Sequence, residues 1–186
     1  GAMKDVVTIS RQLGSMGFEV AQIISSQKGY QLIWRELLNE AAIRSGVPEA
    51  ALEMIDELGL LGITSSPPQR KAYLQAIQQV MEEIADGGRV VFVGRAGQIM
   101  LKENPRVFHV RIVAPLEIRA ERIANRSMVP YESALAQVQA SDQSRKRFIS
   151  KAYHANWEDP LLYHLTINTA ELTPEQTAAL ICPVLA

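Results

Sequence analysis

The chain has 186 residues, 47% of them apolar and 21% charged, the balance of a globular chain with one sizeable core rather than a disordered one. Its 19 Lys and Arg against 20 Asp and Glu leave a formal net charge of −1, which argues against a general nucleic-acid binder. The single Cys182 excludes an intrachain disulfide and a cysteine-cluster metal site. No apolar run reaches the roughly 18 residues of a membrane span, and Gly1-Ala2-Met3-Lys4 lacks the apolar stretch of a signal peptide. A cytoplasmic setting is therefore expected, with Gly1-Ala2 as a cleavage remnant before a natural start at Met3. Residues 1–93 hold 8 basic and 11 acidic side chains, and residues 94–186 hold 11 and 9. That asymmetry is either ordinary scatter or the trace of an anionic substrate held mainly by the second half.

Asp5 to Ser10 is short, apolar and β-branched, which predicts a buried strand. A glycine-containing turn follows, and Val20, Ala21, Ile23 and Ile24 then recur at helical spacing up to Lys28-Gly29, a basic last turn and a stop. Tyr30 to Ile33 predicts a second strand, and Arg35 to Ser45 a helix stopped by Gly46. Pro48 opens a helix to about Leu58, Gly59 to Ser66 reads as an apolar loop, and Pro67-Pro68 begins a long helix to about Asp86. Arg89 to Val93 reads as a central strand, running into the turn Gly94-Arg95-Ala96-Gly97 and a short helix to about Lys102. Val107 to Val113 is another strand, and Ala114-Pro115 starts a helix to about Arg126. A polar helical stretch begins at Pro130, with Ser141 or Asp142 as the cap of a successor reaching about His154. Leu165 to Asn168 is a last strand. Thr173-Pro174-Glu175 starts a helix to about Ile181. Five short strands separated by long crossovers predict an α/β, three-layer fold with a mainly parallel five-stranded sheet, its site at the C-terminal strand edges.

The segment SRQLGSMGFEV, Ser10 to Val20, lies between a strand and a helix. Such a loop either turns its backbone N–H groups toward an anion or is a tight turn whose glycines serve packing. His109, His154 and His164 make no recognisable ligand pattern, so no protein-held metal is predicted.

In the order of its motifs the chain resembles the cytidylate-kinase-like branch of the P-loop nucleoside monophosphate kinases. The residues that carry the resemblance are Ser10-Arg11-Gln12-Leu13-Gly14-Ser15-Met16-Gly17, Arg35-Glu36-Leu37 with Ala41-Ala42, and Val93-Gly94-Arg95-Ala96-Gly97. They continue through Val113-Ala114-Pro115-Leu116-Glu117-Ile118-Arg119 with Arg122, and then Asp142, Arg145, Trp157, Tyr163, Asn168 and Thr169. The resemblance implies a single domain over residues 1–186, with an acceptor-side helical insertion near 34–86 and a lid near 119–147. It implies phosphoryl transfer from ATP, with Mg²⁺, to a nucleoside monophosphate, CMP or dCMP foremost. The alternatives are a non-catalytic nucleotide binder on the same scaffold and a kinase for another small acceptor.

Arg11, Gly14, Ser15, Met16, Gly17 and Phe18 would form the donor-phosphate loop, departing from Gly-x-x-x-x-Gly-Lys-Ser/Thr. Aligned from the strand, Gly17 takes the lysine position and Phe18 the hydroxyl position. The branch commonly has a basic residue where Phe18 stands, and related kinases often have an acidic one near Trp34. Arg11 is the expected replacement charge. Arg95 and, more weakly, Arg35 would hold the acceptor phosphate; each is otherwise a solvated or structural charge. Trp34 is a base-stacking side chain or a packing anchor. Arg119, Arg122 and Arg126 share one helix face, either paired locally with Glu117 and Glu121 or, as the resemblance implies, with Arg122 and Arg126 reaching donor phosphates as the lid closes. Asp142 either accepts from a cytosine amine or caps its helix, and Arg145 contacts phosphate. A homodimer is expected if Leu58 to Ile63 and the helix before it are exposed.

Overall fold

A computed structural model describes residues 3–46 and 67–186. The predicted helix from Pro48, the loop to Ser66 and the apolar segment Leu58 to Ile63 lie outside the described residues. The strands are β1 (Val6–Arg11), β2 (Gln31–Ile33), β3 (Val90–Val93), β4 (Val107–Val113) and β5 (Leu165–Asn168). The helices are α1 (Gly17–Lys28), α2 (Arg35–Arg44), α3 (Pro67–Asp86), α4 (Gly97–Met100), α5 (Leu116–Ser127), α6 (Tyr131–Tyr153) and α7 (Pro174–Ile181). All strand pairs are parallel, in the order β2-β3-β1-β4-β5, so the predicted three-layer α/β architecture is the observed one. No helix among the described residues is long and apolar enough to cross a membrane.

The reason lies in the strand compositions. A parallel strand covered on both faces has no solvent side, so its sequence is an apolar run rather than an alternation. Val6, Val90, Phe92 and Val107 bury toward α2, α3 and the C-terminal part of α6, against Ile77, Met81, Phe148 and Trp157. Their neighbours Val7, Ile9, Val91, Val110 and Ile112 bury on the other face against Val20 and Ile24 of α1 and Ala178 and Ile181 of α7. A third cluster, Ile123, Ala134 and Val138, joins α5 to α6, and Leu13 of the glycine loop packs on it.

One predicted boundary is corrected. Residues 131–153 form one helix, so neither Ser141 nor Asp142 is a cap. Ala134, Val138, Ser141, Arg145 and Phe148 make one continuous buried stripe at helical spacing, and no Gly or Pro lies between Tyr131 and Tyr153 to end it.

Two polar side chains at the sheet centre meet across neighbouring strands. His109 of β4 sits opposite Thr8 of β1, with Thr8 Oγ1 and His109 Nδ1 2.7 Å apart. The His109 backbone N–H donates to His164 Nδ1 at 2.9 Å, and the two rings stack at 5.2 Å. Burial, with a smaller contribution from His164, lowers the His109 pKa from 6.5 to about 4. The unfolded chain therefore binds a proton between those values that the folded chain refuses. This contribution to stability is complete above about pH 6.5 and is lost as pH falls toward 4, roughly 3 kcal/mol in all. Urea denaturation across that range is expected to show the loss, and His109→Gln to flatten it.

Candidate functional site

The C-terminal ends of β1 and β3 meet two turns. After β1, Gly14 and Met16 both take left-handed backbone conformations, φ 82° and 69°. Gly14 is required twice over: by its φ, and because a Cβ there would lie 2.7 Å from the Arg119 carbonyl oxygen. Gly17 is required for space, since a Cβ would collide with the Arg11 side chain lying across it. The buried Ser15 hydroxyl donates to the Gln12 carbonyl at 2.7 Å, and Gln12 Oε1 accepts from the Ala114 N–H at 3.0 Å. The first backbone donor of the α1 end with a backbone acceptor is Val20, onto Met16 at 3.0 Å. The N–H groups of Met16, Gly17, Phe18 and Glu19 have no such acceptor among the described residues, as expected of a helix N-terminus suited to an anion.

The arginines of α5 are engaged with this loop. Arg119 is buried; its Nε donates to the Ala114 carbonyl at 2.8 Å and its Nη1 reaches the Leu13 carbonyl at 3.4 Å. Its guanidinium also holds both carboxylate oxygens of Asp142, at 3.1 and 2.9 Å. Arg122 donates to the Gly14 carbonyl at 3.2 Å and to the Thr169 hydroxyl and carbonyl at 3.1 and 2.6 Å. Burial pulls its pKa below the usual guanidinium value, against a smaller opposing effect of Glu19. Arg126 pairs with Glu19 of α1 at 3.3 Å, both side chains substantially exposed. Between α5 and the loop lies a groove of about 460 Å³ lined by Gly14, Met16, Glu19, Arg122, Ile123 and Arg126. In this structure the arginine face expected to form a mobile lid is docked on the glycine loop, its carboxylate partners being Asp142 and Glu19 rather than Glu117 or Glu121.

On the β3 side, Gly94, Arg95 and Ala96 are three consecutive residues with positive φ, a conformation that costs an alanine or arginine about 1 kcal/mol. Arg95 is 4% exposed and donates to Asn39 Oδ1 of α2 at 2.7 Å. Arg145 of α6 donates to the Arg11 carbonyl at 2.7 Å. The ends of β1 and β3 and the inner face of α6 enclose a cavity of about 20 Å³, room for one water, lined by Ser10, Arg11, Gly94, Gln98, Arg145 and Trp157 among others. Trp157 Nε1 donates to Ser10 Oγ at 3.1 Å, and Arg111 of β4 lies 5.0 Å from the centre of the Trp157 ring. Burial raises the Tyr153 pKa, with Arg95 opposing.

The structure thus brings Arg11 and Arg145 to one cavity and Arg122 and Arg126 to one groove. Arg35 is elsewhere, exposed at the start of α2 with Glu36 at 3.4 Å. Phe18 meets Trp34 edge to face at 6.2 Å, and Trp34 packs on the core beneath α1, so the packing role is the one observed. Sequence reasoning missed the Arg119–Asp142 pair, the Asn39 partner of Arg95 and the buried Arg111. For the first two, no residue pattern links the partners. For Arg111 the signal was present, a lone arginine inside an apolar strand.

Removing one partner of a buried ion pair strands the other charge without solvent. Asp142→Ala is expected to destabilise the fold by about 3 kcal/mol in urea denaturation, whereas a carboxylate serving only as a ligand contact would leave stability unchanged.

Comparison with known proteins agrees with this architecture. Residues 6–171 match the model of the cytidylate kinase-like family. The cytidylate kinase of Methanocaldococcus jannaschii is 32% identical over 123 residues, 64% of this chain and 69% of that protein. That of Thermococcus sibiricus is 26% identical over 184 residues, 95% and 85% of the two chains. A uronate isomerase of Corynebacterium glutamicum is 23% identical over 147 residues, 79% of this chain, which spans only 28% of that protein's length. Among solved structures, an uncharacterized protein from Eubacterium ventriosum superposes with a TM-score of 0.77 at 19% identity, covering 97% of each chain. A shikimate kinase from Bacteroides thetaiotaomicron gives 0.58 at 12% identity over 98% of each chain; both likenesses are of fold alone. A family match that runs from β1 to beyond β5, on a parallel sheet with a glycine loop at the end of its central strand, establishes that the chain belongs to the cytidylate kinase-like family.

Proposed function

We propose that the chain transfers the terminal phosphoryl group of ATP to a nucleoside monophosphate, with CMP or dCMP as the foremost acceptor. The observation that carries this reading is the convergence of Ser10 and Arg11 of β1, Gly94 and Ala96 of the turn after β3, and Arg145 of α6 around one water-sized cavity. Arg11, from the donor side, and Arg145, from the acceptor side, face the same small space. In this reading an acceptor phosphate oxygen attacks the γ-phosphorus, the bond to the bridging β-oxygen breaks, and ADP leaves. Such a transfer needs positioning and charge stabilisation more than a base. The N–H groups from Met16 to Glu19 cradle the donor phosphates, that of Ser15 being spent on the Gln12 carbonyl, and Arg11 supplies the charge that the loop lacks at Gly17 and Phe18. Arg95 and Arg145 hold the acceptor phosphate in the bidentate manner open to guanidinium groups. Arg126 exchanges Glu19 for phosphate, at little cost because exposed pairs contribute at most about 1 kcal/mol. Asp142 stays with Arg119, since reaching a base would abandon a buried guanidinium.

Magnesium is implied by the family, and the residues at the loop do not fit it. Phe18 stands at the hydroxyl position, the Ser15 hydroxyl is committed to Gln12, and Glu19 faces Arg126. Among the described residues no three His, Cys, Asp or Glu side chains converge. The same departure favours a second reading, nucleotide binding without turnover, because Phe18 and Gly17 remove the loop's usual side-chain chemistry.

The two readings separate in a phosphoryl-transfer assay from ATP across a panel of nucleoside monophosphates. Transfer to CMP or dCMP is expected, and Arg95→Ala should lower kcat/KM for it by about 10- to 100-fold, the value of a charge-assisted bidentate contact. ATP binding without transfer to any acceptor would replace the kinase reading with the binding one.

A further inference from the structure

Thr169 follows β5 and is fully buried. Its hydroxyl accepts a hydrogen bond from Arg122 Nη1 at 3.1 Å and donates to the Ser15 carbonyl at 2.8 Å, with the Val113 carbonyl more distant at 3.5 Å. Arg122 also holds the Thr169 carbonyl at 2.6 Å and the Gly14 carbonyl at 3.2 Å. A hydroxyl has one proton and otherwise rotates to suit its surroundings. With an arginine N–H occupying one side of the oxygen, the proton is turned toward Ser15. In a trans peptide the C=O and the following N–H point in opposite directions. Anchoring the Ser15 carbonyl to Thr169 therefore aims the Met16 N–H away from Thr169. The preceding N–H, that of Ser15, is consumed on the Gln12 carbonyl at 3.2 Å. Met16 is the residue at which the loop adopts its left-handed conformation without a glycine, a strained geometry that persists only where its surroundings hold it.

We infer that Arg122 and Thr169 are positioning residues: a relay from the Arg122 guanidinium through the Thr169 hydroxyl to the Ser15 carbonyl sets the Ser15–Met16 peptide, and with it the row of N–H donors from Met16 to Glu19 that takes a polyphosphate. The polyphosphate part rests on the reading of the loop as an anion cradle; the relay itself does not. Arg122, which the family resemblance places among the lid residues that reach phosphate, acts here through the loop backbone instead. The relay joins a threonine just past β5 to a loop 154 residues earlier in the chain.

Thr169→Val removes the hydroxyl at nearly constant shape, and Thr169→Ser restores it. Two readouts are taken on each folded protein: the ¹H–¹⁵N amide resonances of Met16 and Gly17, and calorimetric affinity for inorganic triphosphate. Thr169→Ser is expected to match the wild type, with affinity within about threefold. Thr169→Val is expected to displace both resonances and weaken triphosphate by about tenfold, the value of one such hydrogen bond. A Thr169→Val protein with the Met16 and Gly17 resonances unmoved, or with wild-type affinity for triphosphate, overturns the inference. If Thr169→Val does not fold, Arg122→Lys, which removes the fork but leaves the hydroxyl, must displace the same two resonances, and their constancy overturns it equally. Failure of the wild type to bind triphosphate would remove the anion-cradle reading, while the resonances still decide the relay.

Discussion

The glycine loop is seated directly on the backbone of α5. Gly14 passes so near the Arg119 carbonyl that no side chain fits between them, and the Arg119 guanidinium, out of solvent, finds its acceptors at Leu13, Ala114 and Asp142. A buried guanidinium is tolerated only when its donors are satisfied. Satisfying this one ties together the loop after β1, the turn after β4 and the middle of α6. The orientation of the loop, the seat of Arg122 on Gly14 and Thr169, and the alignment of α6 that brings Arg145 to the end of β1 all depend on that contact.

Charge at the site is supplied by guanidinium groups rather than by the lysine and hydroxyl of a full phosphate loop. Arg11 leaves the end of β1 and lies across Gly17; Arg145 reaches the same strand end from α6; Arg95 is held from α2 by Asn39. Where the branch commonly carries a basic residue, Phe18 instead packs edge to face on Trp34, itself near a position that related kinases often fill with an acid. Both departures therefore occur at one contact, where an apolar pair now stands. Phe18 of α1 meets Trp34 just past β2, and neither position carries a charge at the mouth of the loop.

The sheet was legible because each strand is buried on both faces and reads as an apolar run closed by a turn. The glycine loop was legible from its place between strand and helix. The division of residues 130–154 into two helices was misread because Ser141 and Asp142 are good caps by residue type, yet the stripe from Ala134 to Phe148 continues through them and outweighs that preference. The partners of the arginines were not legible at all. Helical spacing put Arg119, Arg122 and Arg126 on one face, but their acceptors are a carboxylate 23 residues away, backbone carbonyls and a threonine beyond β5. A carbonyl leaves no mark in a sequence, and contacts across an α/β fold have no period.

The phosphate site we propose is built from backbone N–H groups and arginines, with no metal ligand contributed by the loop. Calorimetric titration of ATP into the wild-type protein, with magnesium present and with magnesium chelated, tests it most directly. The account predicts binding in both conditions with comparable affinity, because the positive charge belongs to the protein. Binding that disappears when magnesium is chelated would contradict it.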